Sequence, residues 1–349
     1  MLSFGRTSRL VPVAVASPLP DRETMMAEAI TVREYGPSSV LKAVTVEIGA
    51  PGPGELRIRQ TAIGVNYHDV YVRSGLYKTL ALPGVPGCEA AGEIVAIGPG
   101  VNDFQIGDRV AYVTSTYGAY ASERLLPAIQ ALKLPDIVSD LLAGTTLLRA
   151  LTVEMLVGRV HRIEAGMTIL VHAAAGGVGR LLCQWTAHIG ATVIGTVGSE
   201  DKAAAAKASG CAHTILYRET EFKAAVMEIT KGRGVDVAYD SVGADTFSSS
   251  LECLVPCGHL VNYGQSSGPV EPLAMTTLAA NSLTVSRPIL FHYMADPAQY
   301  QSMAQTVFDM LGTGILKPDT PMPLPLADAS KAHDILEGRT GGGGLVLIP

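Results

Sequence analysis

The run Val171-His172-Ala173-Ala174-Ala175-Gly176-Gly177-Val178-Gly179 has the residue types of a phosphate cradle. Small side chains let a backbone come close to a pyrophosphate. Gly176 supplies the approach, and Gly179 lets the next helix pack against the strand before the turn. The apolar run Thr168 to His172 reads as a buried parallel strand. A helix over Val178 to His188 then presents its free N–H groups and positive dipole end to the phosphates. Ala174 stands where the first glycine of G-x-G-x-x-G belongs, so the pattern is imperfect. The order strand, turn, helix, strand (Thr192 to Val197) supplies the context that a lone glycine motif lacks. Ala175, Gly176, Gly177 and Val178 are the candidate contacts; a tight turn without a ligand is the alternative.

The residues after the second strand select the nucleotide. An NAD site places a carboxylate there to accept hydrogen bonds from the ribose hydroxyls. Here the position is Gly198, followed by Ser199 and, three residues later, Lys202. A carboxylate would repel a 2′-phosphate, whereas a glycine leaves room and a serine and a lysine can hold one. The expected cofactor is NADPH. A solvated lysine in the first turn of a helix is the alternative for Lys202.

A chain of 349 residues is too long for one ordinary core and predicts two domains. Its 48% hydrophobic and 17% charged residues suit a compact α/β protein with a large buried sheet. A formal net charge of −6 argues against nucleic acid as the main partner, because phosphate binding needs a basic face. Five scattered cysteines (Cys88, Cys183, Cys211, Cys253 and Cys257) do not form a disulfide framework and point to a reducing compartment. Cys253 and Cys257 are read as buried structural thiols. No apolar run reaches the roughly 18 residues that span a bilayer. Residues 1–25 hold Arg6, Arg9, several serines and, up to Pro20, no acidic residue. That composition is compatible with a transit peptide, but an upstream segment with Met25 or Met26 as the true start is the favoured reading. The expected location is cytoplasmic, or an organelle if the segment is a transit peptide.

From Ala27 to about Ala131, short β segments alternate with Gly/Pro turns such as Pro51-Gly52-Pro53-Gly54. Apolar residues recur at helical spacing from Val138 to Val157. Strands are then expected at Thr168–His172, Thr192–Val197, His213–Leu216, Val235–Asp240 and Gly258–Tyr263, with helices between: a doubly wound parallel sheet. A helix from about Pro297 to Gly312, another over Asp328 to Glu337, and a strand Leu345-Val346-Leu347-Ile348 follow. The expected domains are an extension (1–25), a β-rich domain (26–150 and 288–349) and a nucleotide domain (151–287), with a cleft between the last two.

The segments Gly64 to Tyr77, His172 to Gly179, Tyr239-Asp240-Ser241-Val242-Gly243 and Tyr263 to Gly268 together resemble the zinc-free quinone oxidoreductase (zeta-crystallin-like) branch of the medium-chain dehydrogenase/reductase superfamily. The resemblance covers nearly everything from Ala27 to Pro349. It implies an α/β fold made of a GroES-like β-rich catalytic domain and a Rossmann doubly wound parallel-sheet nucleotide-binding domain. Zinc alcohol dehydrogenases carry a cysteine at the position of Asn66, a histidine at that of Cys88, and a four-cysteine lobe that has no counterpart between Tyr112 and Pro135. Zinc needs three or four protein ligands, so no metal is expected.

The resemblance further implies Lys202 and Tyr217 around the 2′-phosphate, assisted by Ser199. Asn66 and Tyr71 would line the nicotinamide side of the cleft, with Asp69 nearby. Thr152 and Arg339 would contact the cofactor. Ser241 and the turn Tyr263-Gly264-Gln265-Ser266 would lie at the carboxyl ends of parallel strands, where ligands of such sheets bind. Tyr71 packing in the core, Asn66 capping a turn and Asp69 holding a neighbouring backbone or Arg73 are the structural alternatives. His68 and His172 have no companion that points to metal or triad chemistry and are set aside as non-catalytic. The expected activity is NADPH-dependent reduction of a small-molecule quinone, with a hydrogen bond from Tyr71 or Asn66 to the carbonyl oxygen. The alternatives are an NADPH-dependent enone, alkenal or enoyl-thioester reductase, and an NADPH-holding RNA-binding or structural protein. A homodimer, joined edge to edge around Leu283 to Ser286, is expected, and no membrane association.

Overall fold

The computed structural model describes residues 25–338 and 344–349; most of the expected extension, and Arg339, lie outside the described residues. Six parallel strands form the nucleotide sheet, in the order His213–Leu216, Thr192–Val197, Thr168–Val171, Val235–Asp240, Leu254–Asn262 and Thr284–Ser286. Successive strands run outward from Thr168–Val171 on one side and from Val235–Asp240 on the other. The chain therefore reverses its direction of travel across the sheet between these two, and the glycine-rich turn sits at that switch point.

In the β-rich part, Met322–Pro325, Leu345–Ile348, Glu55–Gly64, Glu89–Ile97, Arg109–Val113 and Leu132–Lys133 lie side by side, and Glu123–Pro127 also pairs with Glu55–Gly64. Along Glu55–Gly64 the side chains of Leu56, Ile58, Gln60 and Ala62 turn inward at every second position, the period of a strand with one buried face. Register shifts at Arg57/Ile58 and Gln60/Ala62 bend that strand so that the sheet can coil. Met25–Thr31 and Lys42–Ile48 form a separate antiparallel pair.

The helix Asp140–Glu154, capped by Ser139 accepting from the Leu142 N–H at 3.2 Å, continues as a π-helical turn, Met155–Val160. These 21 residues are long and apolar enough to cross a membrane, but 67% of the apolar stretch is buried inside the protein. Leu147, Ala150 and Leu151 share one core with Val113 and Leu132 of the β-rich sheet and with Ile169, Val171 and Leu181 of the nucleotide domain. The expected boundary at residue 150 thus falls within a helix that belongs to both parts. Helix Pro297–Gly312, expected in the β-rich domain, also buries Met303, Val307 and Phe308 in this shared core. Cys257 departs from expectation. It is exposed at φ 64° in strand Leu254–Asn262, while Cys253 is buried at the end of helix Phe247–Glu252.

Candidate active site

The glycine-rich turn is shaped by close backbone approach. A Cβ on Gly179 would lie 2.3 Å from the Ala173 carbonyl oxygen, so this position of helix Gly177–Ile189 admits only glycine. Gly176 is the N-cap, and Ala173 takes the left-handed conformation at φ 50°. Ala175, Gly177 and Val178 are half-buried at the mouth of the turn, and Gly176 is exposed. Arg149, a residue the sequence reading missed, reaches this turn from helix Asp140–Glu154. A Cβ on Gly177 would meet its Nη1 at 2.6 Å, and its Nε, buried, has no partner among the described residues. An orphaned guanidinium nitrogen beside a helix N-terminus fits a dinucleotide's phosphates.

At the far end of strand Thr192–Val197, a Cβ on Gly198 would meet the Tyr217 hydroxyl at 2.8 Å; a larger residue would close this corner. Tyr217 is 44% exposed beside it. Ser199 caps helix Glu200–Ala208 by accepting from the Lys202 N–H at 3.4 Å, which leaves its own O–H free to donate. Lys202 is exposed and has no ion-pair partner among the described residues. Ser199, Lys202 and Tyr217 therefore come together around an open corner of the right chemistry for a phosphate.

Ser241 and the turn Tyr263 to Ser266 meet at the carboxyl ends of Val235–Asp240 and Leu254–Asn262. The Ser266 N–H donates to the Ser241 carbonyl at 3.2 Å, and a Cβ on Gly264 would collide with that carbonyl at 2.6 Å. Burial raises the Tyr263 hydroxyl far above its ordinary range, so it stays protonated beside Ser241. The Gln265 N–H donates to the Tyr71 hydroxyl at 3.4 Å, bringing the two sides of the cleft together. Burial pushes Tyr71 up to about 12, so at neutral pH its own O–H remains a donor. The Tyr71 ring lies 4.9 Å from Tyr77 and 5.2 Å from Tyr67, giving this wall an aromatic face. Arg287 bridges the cleft as well, donating to the Asn262 carbonyl at 3.1 Å and the Tyr77 hydroxyl at 2.9 Å.

Asn66, Asp69 and Thr152 are more committed than the sequence reading expected. Asn66 is 6% exposed, and its Nδ2 donates to Glu89 at 2.7 Å. Asp69 is fully buried. It accepts from the Asn66 N–H at 2.8 Å and the Tyr120 hydroxyl at 3.2 Å, with the Cys88 thiol at 3.8 Å. Its contacts are those of a capping residue that fixes Asn66, and not of a cofactor ligand. Arg73, an alternative partner for Asp69, pairs instead with Glu337 at 2.7 Å. Thr152 donates its hydroxyl to the Leu148 carbonyl at 2.8 Å, which leaves only a lone pair for a ligand. Glu89, another missed residue, accepts from Asn66 and from the Leu148 N–H at 2.7 Å, and burial pushes its carboxyl up to about 7. His172 is a satisfied core residue between Thr196 and Ser250. Among the described residues no three His, Cys, Asp or Glu side chains gather as a metal site.

Two family models match the chain: an alcohol dehydrogenase GroES-like domain over residues 52–136 and a zinc-binding dehydrogenase domain over residues 177–310. Quinone oxidoreductase 1 of Escherichia coli is 40% identical over 327 residues, spanning 93% of this chain and 100% of that protein. A 2-haloacrylate reductase of Burkholderia sp is also 40% identical, over 93% of this chain and 99% of that one. The quinone oxidoreductase structure from Pseudomonas syringae superposes with a TM-score of 0.90 at 43% identity, covering 93% of this chain and 100% of that one. The Escherichia coli enzyme complexed with NADPH superposes with a TM-score of 0.89 at 39% identity, covering 92% and 100%. With the two-domain fold, the glycine turn at the switch point and asparagine and cysteine at the zinc-ligand positions, the chain belongs to the zinc-free quinone oxidoreductase branch of the medium-chain dehydrogenase/reductase superfamily.

Proposed function

We propose that this protein is an NADPH-dependent quinone reductase acting in the cleft between its two domains. The observation that carries this reading is the aromatic wall of Tyr67, Tyr71 and Tyr77, which faces the carboxyl ends of the nucleotide sheet through the Tyr71–Gln265 contact. A flat quinone stacks well on such a wall. Ser199, Lys202 and Tyr217 would hold the 2′-phosphate. Arg149, the helix N-terminus and the turn Ala175 to Val178 would hold the pyrophosphate, and Ser241 with Tyr263 to Ser266 the nicotinamide end. When bound, NADPH supplies the hydride; orientation and exclusion of water fall to the protein.

Tyr71 donates a hydrogen bond to the quinone oxygen, where negative charge develops during reduction. Asn66, with its amide turned to Glu89, sets the position of this wall. Asp69 fixes Asn66 in turn. A second reading, reduction of activated alkenes, is favoured by the similarity to the 2-haloacrylate reductase. The net charge of −6 weighs against the RNA-binding alternative. We further propose a homodimer along the edge strand Thr284–Ser286, whose outer backbone groups need a partner, and a cytoplasmic location.

The test is NADPH oxidation followed by absorbance with benzoquinone and naphthoquinone beside an enone, an enoyl thioester and 2-chloroacrylate, repeated with NADH. Turnover confined to quinones with NADPH supports the reading; turnover confined to the alkenes replaces it with the second. Tyr71→Phe is expected to lower kcat about tenfold, the loss of one hydrogen bond of roughly 1.5 kcal/mol in the transition state. Unchanged kcat and KM would remove Tyr71 from the mechanism.

A further inference from the structure

Beyond the tyrosine wall, His68 occupies the same helix as Tyr71, Tyr67–Ser74, and packs edge-on against Phe291 at 5.4 Å and parallel to Tyr117 at 6.0 Å. Its Nε2 lies 3.3 Å from the Tyr117 hydroxyl, which lies 2.5 Å from Thr79 Oγ1. The three differ in exposure: Thr79 is exposed, Tyr117 is 5% exposed and His68 is half-buried. The other ring nitrogen of His68 makes no hydrogen bond among the described residues and is not sealed from water. Tyr117 holds its place at φ 57°, a conformation that an aromatic residue adopts at a cost of order 1–3 kcal/mol and that persists where the surroundings enforce it.

We propose that Thr79, Tyr117 and His68 form a proton relay from solvent to the substrate cleft, with His68 as the terminal proton donor. The inference rests on the functional reading above. Reducing a quinone to a hydroquinone takes a hydride, supplied by NADPH, and a proton, which the relay delivers. Thr79 O–H donates to the Tyr117 oxygen, Tyr117 O–H donates to His68 Nε2, and His68 carries its own proton on Nδ1. As Nδ1 releases that proton to the substrate oxygen, Nε2 takes the proton of Tyr117. Tyr117 takes that of Thr79, and Thr79 takes one from bulk water. Each bond to hydrogen that breaks is matched by one that forms: one proton passes from water to the reduced substrate, and His68 is left with its proton on Nε2, which returns to Nδ1 through water before the next turnover. Burial lowers His68 to about 4, so at neutral pH the ring is uncharged and has the lone pair that the relay requires. Protonation inside the cleft spares an apolar, aromatic site a hydroquinone anion.

Two measurements on the full chain test the relay. The first is ring-nitrogen NMR of the protein without ligand. It is expected to show His68 neutral, with the proton on Nδ1 and Nε2 accepting, and Tyr117→Phe is expected to shift the Nε2 resonance. A proton on Nε2, or no response to Tyr117→Phe, overturns the relay. The second is naphthoquinone reduction by wild type, His68→Phe and Tyr117→Phe in H2O and D2O, with NADPH affinity measured by fluorescence. Both variants are expected to lose about a hundredfold in kcat, the lower end of general acid catalysis, and to change the solvent isotope effect. Their NADPH Kd should stay within about twofold. Turnover within twofold of wild type with the same isotope effect overturns the relay while leaving the quinone-reductase reading intact. A wild type inert toward naphthoquinone overturns that reading instead, and the ring-nitrogen spectrum, which needs no substrate, still decides the hydrogen-bonded chain.

Discussion

Around Glu89, the polar side chains of Asn66, Asp69, Cys88, Tyr120 and His333 hydrogen-bond mainly to one another, each at 6% exposure or less. Around Gly198, the chemically similar set of Ser199, Lys202 and Tyr217 faces water. The first group belongs to the β-rich part and the second to the nucleotide part. The buried set fixes the backbone that carries Tyr71 and therefore acts mainly through stability. Apart from the helix cap that Ser199 supplies, the exposed set has little folding work to do and is free to choose a ligand. Removing a member of the first should change the protein's folding, and removing a member of the second its preference between cofactors.

The largest break in this contrast is Glu89→Ala, which strands the Leu148 N–H and the Asn66 amide in the interior. It is expected to cost about 4 kcal/mol, seen as a lower urea midpoint. A loss of activity with unaltered stability would break the contrast. The buried set also predicts a pH dependence. Burial raises Asp69 and Glu89 from 3.8 and 4.5 to about 7, so between these values the folded protein binds protons that the unfolded chain has released. Their contribution is fully present below about pH 4 and is lost as pH rises through about 7. The urea midpoint is expected to be lower at pH 8 than at pH 5.5, with the gap narrowing in Asp69→Asn. Next comes Lys202→Ala, expected to weaken NADPH about tenfold to a hundredfold through one lost charge-assisted hydrogen bond. NADH affinity and the urea midpoint should not move; an unchanged NADPH/NADH ratio would remove Lys202 from the 2′-phosphate site. Smallest is Thr152→Val, whose hydroxyl is already spent on the Leu148 carbonyl. It should change NADPH affinity by less than about threefold, and a larger loss would restore Thr152 as a cofactor contact.

The same contrast governs what the sequence makes legible. Strands Thr192–Val197 and Val235–Asp240 match expectation because each is a short run buried in the parallel sheet, and His213–Leu216, of which only Ile215 is buried, matches as the edge strand. Leu254–Asn262 begins earlier than the expected Gly258, because Pro256 and Gly258 read as punctuation although the strand tolerates both. The exposed phosphate corner is legible because Gly198, Ser199 and Lys202 are neighbours in the chain. Asn66 and Glu89, or Tyr120 and His333, meet only through the fold, and no local pattern announces them. Arg149 was missed for the same reason, since its partner surface, Gly177, is brought to it by helix packing. His68 reads as a lone histidine until the turn around Tyr117 supplies its companion.

The strand Leu345–Ile348 lies between the edge strand Met322–Pro325 and Glu55–Gly64 in the β-rich sheet, and Val346 and Leu347 are fully buried. During synthesis, Glu55–Gly64 leaves the ribosome early and then waits for a neighbour encoded far downstream. The whole nucleotide sheet emerges in the interval and has its strands available first. Assembly therefore runs against the order of the gene: the inserted domain can close while the domain that flanks it is still open. The β-rich sheet has all its strands only when Leu345–Ile348 has joined it.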